Sequence, residues 1–78
     1  IPLYMQLKEV LKQEIMSRYK TGDVFPSQNE LIRKYKLSYD TVIKTLGELV
    51  KEGFLYREFG RGTFVKNISA LKFKGNKI

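Results

Sequence analysis

The stretch SQNELIRKYKLSYDTV, residues 27–42, contains the start signals of two consecutive helices. Ser27 and Glu30 have the capping-box spacing, in which the serine hydroxyl accepts from the glutamate amide and the glutamate carboxylate accepts from the serine amide. Ser38, which follows Lys36 and Leu37, is a second N-cap residue. Two capped helices this close together are typical of the helix-turn-helix motif, whose second helix enters the major groove of DNA.

Helical patterns extend on both sides of this pair. From residue 1 to about residue 20, apolar residues recur at three- and four-residue spacings, which predicts an amphipathic helix. An extended connector at residues 24–26 precedes the second helix, over residues 27–35, and the third helix runs from Ser38 to Glu52, where Gly53 ends it. The predicted core consists of Leu3, Tyr4, Met5, Leu7, Val10, Leu11, Ile15, Leu31, Ile32, Tyr35, Val42, Leu46, Leu49 and Val50.

The glycines of FGRGTFV, residues 59–65, have strand-like sequence on both sides. Aromatic and β-branched residues are frequent at residues 54–58 and 63–65. A phosphate-binding glycine loop needs a helix after its glycines, whereas a strand-like run follows Gly62. We therefore predict a β-hairpin whose tip spans residues 59–63 and carries Arg61, because glycine adopts positive φ at low cost.

Three helices with a helix-turn-helix, followed by a two-stranded β-hairpin, make a small winged helix of the α+β class. We assign residues 1–67 to this domain. Residues 68–78 contain three lysines and no acidic residue, so we predict a basic tail or linker there.

Composition limits the function classes. The 78 residues fit one small domain with a modest core, and the net charge of +7 indicates an anionic partner. The chain has no cysteine and no histidine, which excludes zinc-finger ligand sets and an imidazole base. We find no metal-ligand cluster, catalytic triad or paired carboxylates, and no apolar run long enough to span a membrane. We expect a soluble, non-exported protein that is not an enzyme and uses no cofactor or metal.

Four segments resemble the DNA-binding domain of GntR-type bacterial transcription regulators: IPLYMQLKEVLKQEI, GDVFPSQNEL, LSYDTV and EGFLYREFGRGTFV. The opening PLYMQL is most similar to the HutC and YtrA branches. The resemblance implies an operator-binding domain of a metabolite-responsive repressor in the bacterial cytoplasm, at the nucleoid. It also implies double-stranded DNA with an inverted repeat as partner. A further domain, absent from this sequence, would bind a small-molecule effector and hold the full-length protein as a homodimer.

The family contacts DNA through the start of helix two, the first residues of helix three and the wing tip. Transferred to this sequence, these contacts imply Asn29, Ser38, Tyr39, Asp40, Thr41, Ile43 and residues 60–62. Our candidate DNA-binding residues are Ser27, Asn29, Ser38, Tyr39, Asp40, Thr41, Lys44, Gly60, Arg61, Gly62 and Thr63. Family members commonly have arginine where this chain has Asn29, Tyr39 and Ile43, and bidentate arginine is the commonest reader of guanine. The family's usual base preference therefore does not transfer to this chain.

Several residues allow two interpretations. Tyr39 could pack on the domain surface or reach a base, and Ile43 could join the core or meet a thymine methyl group. Arg61 could be a solvated hairpin residue or enter the minor groove. The polar side of helix three, including Lys44, could likewise be only a solvated face.

Two other functions compete with DNA binding. One is a protein-interaction module whose basic surface meets an acidic partner. The other is binding to a membrane surface through helix one, which the mixed charges of Lys8, Glu9, Lys12 and Glu14 disfavour.

Overall fold

The computed structural model describes residues 1–66. Three helices come first: α1 (Leu3–Arg18), α2 (Gln28–Tyr35) and α3 (Tyr39–Lys51). The strands β1 (Leu55–Glu58) and β2 (Gly62–Val65) follow and pair antiparallel, with Leu55 opposite Val65 and Glu58 opposite Gly62. The prediction of a small α+β winged helix is confirmed. The predicted basic tail at residues 68–78 lies outside the described residues.

Both predicted N-caps are present. The Glu30 amide donates to Ser27 Oγ at 3.2 Å and the Ser27 amide donates to Glu30 Oε1 at 2.8 Å, which completes the capping box of α2. At the start of α3, the Thr41 amide donates to Ser38 Oγ at 3.2 Å. These bonds satisfy amides that have no partner inside the helix. They therefore fix where α2 and α3 begin.

The turn between α2 and α3 depends on a left-handed residue. Lys36 has φ 55° and its amide donates to the Ile32 carbonyl at 2.8 Å, which ends α2. Such a conformation is costly for a residue with a Cβ. It reverses the chain quickly enough for α3 to begin at Tyr39, only four residues after the end of α2 at Tyr35.

The core forms where α1, α2, α3 and the hairpin meet. Its buried apolar residues are Leu7, Leu11, Ile15, Phe25, Leu31, Val42, Leu46, Leu49, Leu55 and Val65. Seven of these were expected from helical spacing, while Phe25, Leu55 and Val65 come from the connector and the hairpin. Ile32, Tyr35 and Val50 are half-buried against the core. Thr45 is buried with them, and its hydroxyl lies 2.8 Å from the Thr41 carbonyl oxygen and 3.2 Å from that of Tyr4.

The prediction for the apolar residues of α1 is wrong at three positions. Leu3, Met5 and Val10 are exposed. The other elements cover only one side of α1, along a line that runs through Leu7 and Leu11. Leu3 lies in the first turn, ahead of that line, while Met5 and Val10 lie to either side of it. Tyr4, also expected in the core, is half-buried.

The predicted connector also pairs with the hairpin. The Phe25 amide donates to the Thr63 carbonyl at 2.9 Å, and the Val65 amide donates to the Asp23 carbonyl at 2.9 Å. Val24 forms an isolated antiparallel bridge with Phe64. The connector therefore fixes β2 next to the start of α2. The predicted tip at residues 59–63 is too long, because Gly62 pairs with Glu58 and both Gly62 and Thr63 belong to β2.

An ion-pair network joins the C-terminal end of α3 to α1. Lys8 Nζ lies 2.6 Å from Glu52 Oε2 and 3.8 Å from Glu48 Oε1, while Lys12 Nζ lies 3.0 Å from Glu52 Oε1. Hydrogen bonds from Lys8 and then Lys12 hold the pKa of Glu52 below its ordinary value of 4.5. The bond to Glu52 raises the pKa of Lys8. The network therefore stabilises the fold most where Glu52 is ionised and both lysines are protonated.

We predict that replacing Gly47 stabilises the protein. Gly47 is exposed inside α3, and a Cβ built there meets no heavy atom within 4 Å, so no close approach to another element explains this glycine. Gly47→Ala should raise the free energy of unfolding in urea by about 1 kcal/mol, because alanine has the higher helix propensity. Gly60→Ala is the control: its site is equally open but has φ 76°, so stability should fall. A loss of stability in Gly47→Ala would contradict the account.

We also predict a pH dependence that runs through Glu52. Because its pKa is lowered in the folded state, its contribution is present above the unfolded pKa, near 4.5, and is lost as the pH falls through the folded value. In urea titrations, wild type should therefore lose stability more steeply below pH 4.5 than Glu52→Gln does. Glu14→Gln removes the same charge from α1 at a residue whose ion pair, with Arg18 at 3.9 Å, lies outside this network. An equal change in that control would show that net charge, and not the contact with Lys8, sets the slope.

Candidate nucleic-acid interface

An open groove of about 850 Å³ lies between the start of α2 and the hairpin. Ser27 and Asn29 line one wall, and residues 60–63 line the other. The structure therefore brings together six of the predicted site residues from two distant parts of the chain. The bonds between the connector and β2 hold the two walls in place, because they attach the hairpin directly to the segment that leads into α2.

The other predicted residues lie at the start of α3 and do not line this groove. Ser38, Tyr39, Asp40 and Lys44 are exposed, and Tyr39 has 57% of its surface accessible. Thr41 is half-buried. Asp40 occupies the first turn of α3, where a negative charge interacts favourably with the helix dipole. More than half of the Tyr39 surface is therefore in solvent, and its contact with a base or a phosphate stays a prediction.

Three of the predicted hydroxyl groups already take part in helix caps. Ser27 Oγ accepts from the Glu30 amide, and Ser38 Oγ accepts from the Thr41 amide. The Ser38 hydroxyl also donates to Thr41 Oγ1 at 3.0 Å. The first role of these hydroxyls is therefore to start α2 and α3, and any ligand contact is additional to it.

Lys44 has a partner that sequence reasoning missed. Its Nζ lies 4.6 Å from the centroid of the Tyr4 ring, on α1, which is a cation–π distance. The neighbouring Thr45 hydroxyl contacts the Tyr4 carbonyl oxygen at 3.2 Å. Two consecutive residues of α3 thus contact Tyr4, and the contact holds the Lys44 ammonium group near the start of α1. No local signal reveals such a pairing, because it joins residues about forty positions apart. Ile43 was expected either in the core or against a thymine methyl group. Its side chain is half-buried and does not belong to the buried core.

The hairpin tip is a tight turn with an exposed cation. The Arg61 amide donates to the Glu58 carbonyl at 2.9 Å, and Gly60 in the third position has φ 76°, the positive value that a type II turn needs there. The Arg61 side chain is 73% exposed and its Nη1 lies 3.4 Å from Glu58 Oε1. An exposed pair of this kind contributes at most about 1 kcal/mol, so an external anion can replace the glutamate.

Two further features of the tip were not foreseen as site residues. Phe59 is fully exposed, and Arg57 projects from β1 into solvent. Both line the groove, together with the acidic residues Glu30 and Glu58. Glu30 serves the cap of α2, so its charge is already used by backbone donors. A single aromatic residue at the tip of the predicted hairpin, directly before Gly60, is the sequence signal that could have identified Phe59.

The described residues offer little for catalysis or metal binding. Within residues 1–66 no group of three or more acidic, cysteine or histidine side chains lies close enough to hold a metal ion. Every buried polar side-chain atom in that range has a hydrogen-bond partner. None of the helices in it is long and apolar enough to cross a membrane. The site is therefore an exposed surface built from helix starts, a turn and basic side chains.

Comparisons with known proteins place this geometry in context. The profile described as "Bacterial regulatory proteins, gntR family" matches residues 3–65. The chain is 45% identical over 67 residues to the uncharacterized HTH-type transcriptional regulator YurK of Bacillus subtilis, covering 85% of this chain and 28% of that protein. It is 44% identical over 66 residues to the arabinose metabolism transcriptional repressor of Geobacillus stearothermophilus, covering 83% of this chain and 18% of that protein. The chain thus spans less than a third of either relative.

Among solved structures, the chain is similar to the AraR DNA-binding domain in complex with operator ORR3. The TM-score is 0.75 and the sequence identity is 38%, over 83% of this chain and 80% of that chain. In that crystal structure a domain of this shape is bound to operator DNA.

Proposed function

The chain belongs to the gntR family of bacterial regulatory proteins, and from that premise we propose that it binds double-stranded operator DNA as part of a transcriptional repressor. The observation that carries the proposal is the exposure, in one basic domain, of the capped start of α3 and of the Arg61 turn. The family is one of regulatory proteins, in agreement with the expectation of a domain without catalysis.

The start of α3 is the part that enters the major groove. Tyr39 and Asp40 lie in its first turn and Lys44 lies one turn further along, and all three side chains are exposed. Asp40 can accept from a cytosine amino group, and Tyr39 presents a hydroxyl and a flat ring to a base edge or a phosphate. Base reading here rests on these side chains, since the arginines common in the family are absent.

The hairpin takes the adjacent minor groove. Arg61 exchanges its exposed contact with Glu58 for phosphate oxygens or for the negative potential of a narrow minor groove. Asn29, at the start of α2, lies across the protein's groove from Arg61. From there it can reach DNA that lies between the helix-turn-helix and the hairpin. Gly60 and Gly62 have no side chains there, which allows close approach of the backbone.

Phosphate contacts supply the rest of the affinity. Five more basic residues are exposed on α2, just after it and on the hairpin: Arg33, Lys34, Lys36, Arg57 and Lys66. Their positive charge attracts DNA of any sequence, and binding through them weakens as salt rises.

For the whole protein we propose the arrangement implied by the resemblance. Residues 1–67 form the DNA-binding domain, which is of the HutC or YtrA branch, and residues 68–78 link it to an effector-binding domain. Two copies then occupy the halves of an inverted repeat, because a two-fold symmetric dimer matches a symmetric site. A small metabolite bound by the second domain releases the operator. The place of action is the bacterial cytoplasm, at the nucleoid.

The protein-interaction alternative has one observation in its favour. Leu3, Met5 and Val10 leave apolar surface exposed on α1. Scattered apolar residues are nevertheless normal on protein surfaces, and none of the three belongs to the groove between α2 and the hairpin. DNA binding accounts for the helix start, the turn and the charge together.

We predict separable effects of Arg61→Ala and Tyr39→Ala on DNA binding. Arg61→Ala should weaken binding to all duplexes several-fold and reduce the salt slope by about 1, because one phosphate contact is lost. Tyr39→Ala should lower the affinity for the operator far more than the affinity for a scrambled duplex. Affinities measured by fluorescence anisotropy across a salt series separate the two effects.

Lys51→Ala is the matched control, since it removes a positive charge from the opposite end of α3. It should change affinity less than Lys44→Ala does. Equal losses for Lys51 and Lys44 would mean that only net charge matters and that the start of α3 does not contact DNA.

A further inference from the structure

Phe59 is the most exposed aromatic side chain of the described residues. Its relative accessibility is 105%, so none of residues 1–66 covers its ring. The other aromatic residues of the hairpin have partners: Tyr56 stacks on Phe64 with centroids 5.7 Å apart, and Phe54 lies 5.3 Å below the Lys12 ammonium group. A position in or beside the hairpin therefore does not by itself explain why Phe59 is exposed.

The turn itself does not require phenylalanine. Phe59 occupies the second position of the turn closed by the bond from the Arg61 amide to the Glu58 carbonyl. That position accepts most residues, and only Gly60 in the third position has positive φ. A polar residue would close the same turn. The ring is thus free to serve an external partner.

The surroundings of Phe59 fit a polyanion. The exposed side chains of Arg57 and Arg61 lie on either side of it in the sequence, and both line the same groove. The carboxylates of that groove already have partners, since Glu58 pairs with Arg61 and Glu30 caps α2. Phe59 also stands at the edge of the groove that contains Asn29 and Arg61, so it is continuous with the proposed DNA-binding surface. An apolar ring between two arginines suits the minor groove, where the base edges lie between two rows of phosphates.

We propose that Phe59 is an apolar wedge, which enters the minor groove beside Arg61 and partly unstacks one base step. This inference rests on the proposed DNA binding. It adds a residue that determines specificity through the flexibility of a base step and not through hydrogen bonds to base edges. Apolar side chains inserted between base steps bend the duplex, and they enter most easily at pyrimidine–purine steps, which are the most flexible. The operator therefore carries a TA or CA/TG step where the hairpin lies, and the protein bends DNA there.

The test uses the whole chain and a duplex selected for tight binding. 2-Aminopurine is placed in turn at each position of the half-site, because its fluorescence rises when it is unstacked. Wild type should raise fluorescence at one pyrimidine–purine step, and replacing that step by a purine–purine step should weaken binding. Phe59→Ala should abolish the fluorescence increase and lower the affinity for the selected duplex by about tenfold or more. Phe59→Trp should keep both the fluorescence increase and the affinity.

Val10→Ala is the matched control. Val10 is an exposed apolar residue with 45% of its surface accessible, and it lies on α1, outside the groove. It should change neither affinity nor fluorescence. Urea titrations of Phe59→Ala should match wild type, since the part of the chain that the structure describes leaves the ring uncovered.

Three results would overturn the inference. If wild type and Phe59→Ala bind the selected duplex equally and give the same fluorescence, the wedge is wrong while the proposed function stands. If wild type prefers no duplex over a scrambled one, both are wrong. If Phe59→Ala instead changes the sedimentation of the DNA-free protein, the ring covers a second copy of the chain.

Discussion

The packing of α1 against α3 is the interaction on which the rest of the structure depends. Leu7, Leu11 and Ile15 of α1 are buried in one cluster with Val42, Leu46 and Leu49 of α3. A helix as short as α3 is marginal alone in water, so this apolar contact keeps it formed. Burial of one side of α3 leaves its opposite side, with Asp40 and Lys44, in solvent. The surface available to DNA is therefore a consequence of the core.

Polar contacts at the middle and at the C-terminal end of α3 give that packing a defined register. In the middle of α3, the Thr45 hydroxyl contacts the Tyr4 carbonyl oxygen, and the Lys44 ammonium group lies over the Tyr4 ring. At the C-terminal end, Glu52 accepts from Lys8 and Lys12. Apolar contacts alone would permit α3 to slide or rotate slightly, whereas these contacts are directional. A recognition helix held in this way presents Tyr39 with little loss of freedom on binding.

Features marked by local chemistry were predicted well from the sequence. Ser27 and Ser38 begin helices because their hydroxyls satisfy nearby amides, and Gly53 ends α3 with φ 87°. Features set by distant contacts were not predicted. The exposure of Val10 depends on which side of α1 the other elements cover, and periodicity does not contain that information.

The candidate site divides in the same way. The start of α3 and the Arg61 turn could be identified from caps, glycines and charge. The groove between Asn29 and the hairpin could not, because it exists only when the connector pairs with β2 through the Phe25 and Val65 amides. A tertiary bond of this kind has no signature in either segment alone.

The central claim is that the start of α3 and the hairpin together recognise one DNA sequence. Selection of bound duplexes from a random pool tests it most directly, with the affinities of the selected and a scrambled duplex measured across a salt series. The account predicts an inverted repeat whose advantage over the scrambled duplex persists at physiological salt. Equal and steeply salt-dependent binding to both duplexes would contradict it, because the surface would then provide only positive charge.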